Sequence, residues 1–160
     1  RMKLAEEINE VGLGLKSVMM VGIGSSYEDY VKHIFWFKKF ENLSSVSITG
    51  LRPIPGTPFQ DKPMANPLEV AKVGAVARLV LRDVDIGFGG MMNDPRLLPL
   101  WIMAGGNRAI HLGAHVHRVW STPIRHPNTI VEKHGDIEFV NMLPLTTRLA
   151  KEMGMEVDIE

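Results

Sequence analysis

Val18-Met19-Met20-Val21-Gly22-Ile23-Gly24-Ser25-Ser26-Tyr27-Glu28-Asp29 is the stretch that decides the fold. Residues 18–23 carry no charged or hydrogen-bonding side chain. A run of this kind predicts a strand buried on both faces, as in a parallel sheet. Gly24-Ser25-Ser26 then turns the chain. Ser26, with Asp29 three residues later, has the spacing of a capping box that opens a helix. Tyr27, Tyr30, Val31, Ile34 and Phe37 fall on one side of that helix, with Glu28, Asp29, Lys32 and Lys39 largely elsewhere. The stretch is therefore one strand–turn–helix step.

The same step recurs on either side. Leu4, Ile8 and Val11 form an apolar stripe at helical spacing, stopped by Gly12 and Gly14. Residues 46–51 read as a second strand. Arg52-Pro53-Ile54-Pro55-Gly56-Thr57-Pro58 must be a loop, because prolines so dense fit neither a helix nor a central strand. Asn66-Pro67-Leu68-Glu69 is a helix start, with Asn as the cap and Pro in the first turn. Leu68, Ala71, Ala75 and Leu79 form the stripe of that helix. Residues 84–88 read as a third strand, closed by Gly89-Gly90. Asp94-Pro95 opens a helix that Gly105-Gly106 ends. Residues 109–112 read as a fourth strand. Beyond Ala114 the rhythm breaks into a mixed segment, with a short helix near residues 146–153.

Four βα steps with short loops predict an α/β fold with parallel strands and right-handed crossovers. An open doubly wound sheet satisfies this pattern, and so does half of a parallel TIM-type barrel, whose whole runs to about 250 residues. The reading adopted is the half barrel, about four βα units over residues 1–114, followed by a C-terminal extension at 115–160. The chain opens Arg1-Met2-Lys3 on a helix with no strand before it, which suggests a segment of a longer polypeptide. Cut sheet edges would then leave unpaired backbone groups, so self-association, as a homodimer or as aggregates, is expected of the segment alone.

Composition narrows the function. Lysine plus arginine balances aspartate plus glutamate at 18 each. A neutral chain offers no electrostatic case for nucleic acid or an anionic membrane surface. No apolar run reaches the roughly 18 residues a membrane helix needs, and no signal peptide is evident, so a cytoplasmic enzyme is expected. The chain has no cysteine. It can therefore supply neither disulfides nor thiolate ligands to zinc or an iron–sulfur cluster.

In either architecture chemistry belongs at the C-terminal ends of the strands. Gly22-Ile23-Gly24 before a helix could bring bare backbone against a negative group, or could simply be a tight turn. It is not a dinucleotide fingerprint, because Tyr27 stands where the third glycine would fall. Arg52, just past a strand end, could fork onto a carboxylate or phosphate, or pair on the surface with Asp61 or Glu69. Gly89-Gly90 with Asn93, and Gly113 one strand later, could cradle a phosphate or ribose, or serve as ordinary turns. His111, His115 and His117 contain an H-x-H that would put two rings on one face of an extended segment. A metal-dependent barrel hydrolase using His115 and His117 is one alternative reading. A non-catalytic small α/β binding domain is another.

Several of these passages together resemble the second half of the biotin synthase group of radical S-adenosylmethionine enzymes, over about residues 12–113. Val21-Gly22-Ile23-Gly24-Ser25-Ser26-Tyr27-Glu28-Asp29 is similar to that group's fifth strand and turn. Leu51 to Pro58, ending Pro55-Gly56-Thr57-Pro58, resembles its sixth-strand segment. Asn66-Pro67, Ala75-Val76-Ala77-Arg78-Leu79-Val80-Leu81, Asp85-Ile86-Gly87-Phe88-Gly89-Gly90 and Ala104-Gly105-Gly106-Asn107 resemble its domain associated with biotin and thiamin synthesis.

The resemblance implies a [4Fe-4S] cluster whose cysteines lie outside this segment, S-adenosylmethionine as cofactor, an external reductant and a small biosynthetic intermediate as substrate. It implies generation of a 5′-deoxyadenosyl radical and hydrogen abstraction by the longer enzyme, and no activity of the segment alone. Gly22, Ile23, Gly24 and Ser25 would border the cofactor's methionine and ribose, and Leu51 and Arg52 its adenine. Thr49, Asn93 and His111 are the substrate-side candidates. The pattern departs from the group at four places. Ser25 stands where a glutamate is usual, Lys16 at a second-cluster cysteine, Ile86 at an arginine ligand and Thr49 at an asparagine. These replacements point to a relative without the second cluster, with the [Fe]-hydrogenase cofactor biosynthesis relative as the expected member.

Overall fold

A computed structural model describes residues 2–89, 97–109, 113–115, 130–135 and 137–159. Helix α1 (Met2–Glu10) leads into β1 (Leu15–Val21), α2 (Tyr27–Phe37), β2 (Leu43–Gly50), α3 (Pro67–Val80), β3 (Asp85–Gly89), α4 (Leu98–Met103) and β4 (Arg108–Ala109). These four strands form one sheet in the order β1-β2-β3-β4. Every neighbouring pair is parallel. The alternating βα steps are thus α/β, and the four-stranded sheet fits part of a βα barrel without closing one.

Helix starts follow their local chemistry. At α2 the Ser26 hydroxyl accepts from the Asp29 amide at 3.2 Å, and the Asp29 carboxylate accepts from the Ser26 amide at 2.8 Å. These bonds hold the Asp29 carboxyl below the ordinary aspartate range, the backbone bond from Ser26 contributing most. At α3 Asn66 Oδ1 accepts from the Leu68 amide at 2.9 Å, ahead of Pro67 in the first turn. Ser26→Ala should cost about 1 kcal/mol in chemical denaturation. The Asp29 contribution has a definite sign. Its folded pKa lies below the unfolded one, so its stabilisation is present above the unfolded aspartate pKa. It is lost as pH falls through the lowered folded value. In Ser26→Ala that acid-side loss should shrink, read as a flatter stability profile below about pH 4.

The core lies on one face of the sheet only. Leu15, Met19 and Val21 of β1, Val46 and Ile48 of β2, and Ile86 and Phe88 of β3 are buried with Ile34 and Phe37 of α2, Val70, Val73 and Ala77 of α3, and Trp101 of α4. The alternate residues of β1 point the other way, and Val18 and Met20 are 61% and 42% exposed. The run at 18–23 is therefore not buried on both faces, as its composition suggested. Strands β1 and β2 also begin about three residues earlier than an apolar-run reading places them. Lys16, Ser17, Ser44 and Ser45 interrupt the apolar pattern there. β1 stops at Val21, and Gly22 takes φ +95°.

The tightest packing surrounds Phe88. Its ring stacks on Trp101 with centroids 4.6 Å apart. A Cβ on Gly74 of α3 would meet Phe88 Cζ at 2.6 Å, and a Cβ on Gly106 would overlap the same ring. Below this, Arg78 ties α3 to the α4–β4 turn. Its guanidinium donates to the Gly105, Arg82 and Val84 carbonyls at 2.8–2.9 Å and to Asn107 Oδ1 at 2.7 Å.

Past β4 the chain differs from the mixed segment expected. Strands β5 (Gly113–His115), β6 (Ile130–His134) and β7 (Ile137–Asn141) form an antiparallel sheet in the order β5-β7-β6. Gly135, at φ +62°, lies in the connection between β6 and β7. Helix α5 (Leu143–Glu152) follows, starting three residues before the helix expected near residue 146, and packs against α4.

Candidate functional site

Parallel strands end together, so the C-terminal ends of β1 and β2 place their turns side by side. The Leu51 amide donates to the Val21 carbonyl at 2.7 Å, and the Ala65 amide donates to the Leu51 carbonyl at 2.9 Å. Residues 52–64 thus leave and return at one point. Within the excursion Thr57 Oγ1 donates to the Ile54 carbonyl at 2.7 Å, and Gln60 Oε1 accepts from the Gly56 amide at 2.8 Å. The proline-rich segment is an ordered loop, as its sequence requires.

Two glycines of the first turn have different reasons to be glycine. Gly22 has φ +95°, and a Cβ there would meet Ala65 Cβ at 2.9 Å and Leu51 Cβ at 3.3 Å. Its amide donates to the Tyr30 hydroxyl at 3.1 Å. Gly22 therefore joins the turn to α2 and to the returning loop. Gly24 has φ +105°, and only Lys62 Nζ, at 3.8 Å, comes near a Cβ placed on it. Its backbone faces open space. Ile23 and Ser25 on either side of it are exposed, as is Arg52 at the start of the loop after β2, while Leu51 is buried at 5% with both backbone groups bonded. The capping box occupies the Ser26 and Asp29 amides, so these two are not available to a ligand anion.

The open sheet face carries a ladder of cross-strand neighbours below this edge. Lys16, Ser45 and Asp85 are in register. Val18, Ser47, Gly87 and Arg108 form the next layer, and Met20, Thr49 and Gly89 the one nearest the strand ends. Thr49 is half-buried. Arg108 Nη1 lies 3.3 Å from Asp85 Oδ2, and Asn107 Nδ2 donates to Asp85 Oδ1 at 2.7 Å. Ile86 is fully buried on the opposite, helix-covered face. The positions of β3 that share a face with 16 and 49 are 85, 87 and 89, so Ile86 is out of register with that face by one residue.

The structure therefore brings together Gly22, Ile23, Gly24, Ser25, Leu51 and Arg52, with Thr49 one step down the sheet. Asn93, His111 and His117 lie outside the described residues, as do the segments 90–96 and 110–112. Of His115 the backbone is described, within β5. Among the described residues no group of three histidine, aspartate or glutamate side chains could hold a metal ion. Nor, among them, is any helix long and apolar enough to cross a membrane.

No family model matches the chain. A biotin synthase of Thermodesulfovibrio yellowstonii is 33% identical over 138 residues, covering 84% of this chain and 42% of that protein. A biotin synthase of Pelotomaculum thermopropionicum is 35% identical over 109 residues, 67% of this chain and 34% of that protein. An uncharacterized protein of Methanocaldococcus jannaschii is 35% identical over 86 residues, 54% of this chain and 23% of that protein. The chain spans well under half the length of these relatives. Over at least two-thirds of its length the chain is homologous to biotin synthases.

Proposed function

We propose that these residues are part of a radical S-adenosylmethionine enzyme of the biotin synthase type, acting on a small intermediate in cofactor biosynthesis. The homology to biotin synthases supports the class. The observation that carries the architecture is the bare face of the parallel sheet. Parallel sheets occur almost only with both faces covered, yet Val18 and Met20 stand exposed here. Other strands of a barrel would cover that face. In this reading residues 1–114 supply four strands of the wall. Residues 115–160 form the extension, whose sheet reaches back to Gly113.

The donor set divides the cofactors. With no cysteine in 160 residues, the chain cannot hold a [4Fe-4S] cluster, and its thiolates would come from elsewhere in the enzyme. S-adenosylmethionine would sit at the strand ends, where Gly24 leaves backbone uncovered next to exposed Ser25 and where exposed Arg52 begins the loop after β2. When bound and reduced through the cluster, S-adenosylmethionine supplies a 5′-deoxyadenosyl radical for hydrogen abstraction. The residues of this chain orient it. Gly22 fixes the turn, Gly24 admits the ligand, Arg52 borders the adenine and Thr49 faces the substrate side. The missing second-cluster ligand at Lys16 favours a member with one cluster, such as the [Fe]-hydrogenase cofactor biosynthesis relative.

The full-length protein, reconstituted anaerobically with iron and sulfide and then reduced, should convert S-adenosylmethionine to 5′-deoxyadenosine and methionine. Arg52→Ala should raise the Kd for S-adenosylmethionine about tenfold, the loss of one charge-assisted contact. Absence of nucleoside product above a reductant-free control would overturn the proposal.

A further inference from the structure

On the bare face of the sheet, the upper layers of β2 and β3 carry only small residues. Ser47 and Thr49 lie in register with Gly87 and Gly89. Val18 and Met20 of β1 flank them on one side, and Arg108 of β4 on the other. Residues that project so little leave a trough two strands wide, about 10 Å. It runs down from the strand ends to the row of Lys16, Ser45 and Asp85, about 13 Å below Thr49. Charge at the foot of the trough is not balanced. Asp85 is already engaged, with Arg108 Nη1 3.3 Å from its Oδ2 and Asn107 Nδ2 donating to its Oδ1 at 2.7 Å. Lys16 is exposed, and no carboxylate of the described residues lies within ion-pair distance of it. In the proposed barrel this face is the interior, where an ammonium persists only with an anion beside it. A carboxylate from another strand would meet that need without a trough. The trough joins Lys16 to the strand ends, where ligands enter, and so favours an anion that arrives with the ligand.

We infer that Lys16 is a substrate-binding residue, its ammonium taking an anionic group at the inner end of the small molecule on which the enzyme acts. The inference rests on the proposed function and adds the substrate's chemical class, a slender molecule with a carboxylate or phosphate remote from the strand-end turns. Val18 and Met20, 61% and 42% exposed, offer its middle an apolar wall. A lysine suits the task because its ammonium is a compact charge on a flexible stem, able to meet either anion.

Calorimetric titration of the full-length holoenzyme, loaded with S-adenosylmethionine, tests this with hexanoate, hexyl phosphate and the neutral hexanamide as probes. In wild type one of the two anions should bind about tenfold to a hundredfold more tightly than hexanamide, the worth of one charged hydrogen bond. The tighter anion identifies the group. Lys16→Met should abolish the preference and leave hexanamide binding unchanged, and Lys16→Arg should keep most of it. Lys16→Glu should reverse it, so that hexylamine binds more tightly than hexanamide. Equal binding of anions and amide in wild type, no binding of any probe, or a preference that survives in Lys16→Met would overturn the inference. So would a marked fall in melting temperature in Lys16→Met but not in Lys16→Arg, since the ammonium would then pair with a carboxylate of the enzyme itself. Formation of 5′-deoxyadenosine by the same preparation separates the two levels. With it but without the preference, only the role of Lys16 fails; without it, the proposed function fails as well.

Discussion

Phe88→Ala should lose about 3–5 kcal/mol of stability, as removing a large ring from a packed core does. Phe88 is 1% exposed and stacked on Trp101. Gly74 and Gly106 come so close that neither could carry a Cβ without moving the ring. Removing the ring leaves a cavity that two glycines cannot fill, since they have no side chains to relax into it. For a chain of this size the melting temperature should fall by roughly 10 °C. The reverse change, Gly74→Val, should also destabilise, by about 1–3 kcal/mol, through overpacking against the same ring. Urea denaturation measures both. A loss below about 1 kcal/mol in Phe88→Ala would show that β3 is not seated on α3 and α4 as described.

Gly22→Val should combine two penalties. A β-branched residue at φ +95° costs about 1–3 kcal/mol in backbone strain. Overlap with Ala65 and Leu51 adds about 1–3 kcal/mol. The substitution should also push apart the β1 turn and the loop returning at Ala65, weakening binding of S-adenosylmethionine. Gly24→Ala is the control. It carries backbone strain, but its Cβ would meet only the far end of Lys62. Its stability loss should therefore be clearly smaller, about 1–2 kcal/mol. Equal losses at the two positions, compared by thermal melts, would mean that Gly22 does not join the turn to the loop.

The α/β rhythm was legible because helix starts are local. Ser26 with Asp29, and Asn66 with Pro67, encode their caps within four residues. Strand starts were less legible. Lys16 is exposed on the bare face, where polar side chains are tolerated, and Ser45 is a small polar residue that is nevertheless buried, so the apolar pattern understates the strands. The sheet of β5, β6 and β7 was missed, although Ile130-Val131-Glu132-Lys133-His134-Gly135 and Ile137-Glu138-Phe139-Val140 hold two short β-prone runs around a glycine. The break in βα rhythm drew attention to what had stopped rather than to what replaced it. The motifs behind the family resemblance divide in the structure. Arg78 donates to the Gly105 carbonyl and to Asn107 Oδ1 and so holds α3 against the α4–β4 turn. They speak for the fold. Gly22 and Gly24 lie in the turn after β1 and Arg52 in the loop after β2, at the strand ends where the proposed site would be.

Hydrogen–deuterium exchange of the full-length holoenzyme, with and without S-adenosylmethionine, tests the central claim most directly. The turn after β1 and the loop after β2 should gain protection together, in peptides covering residues 20–25 and 51–62. Peptides covering α1 and residues 81–85, at the opposite end of the strands, should be unchanged. Protection confined to that opposite end, or absent from both strand-end segments while the ligand is bound, would contradict the placement of the site.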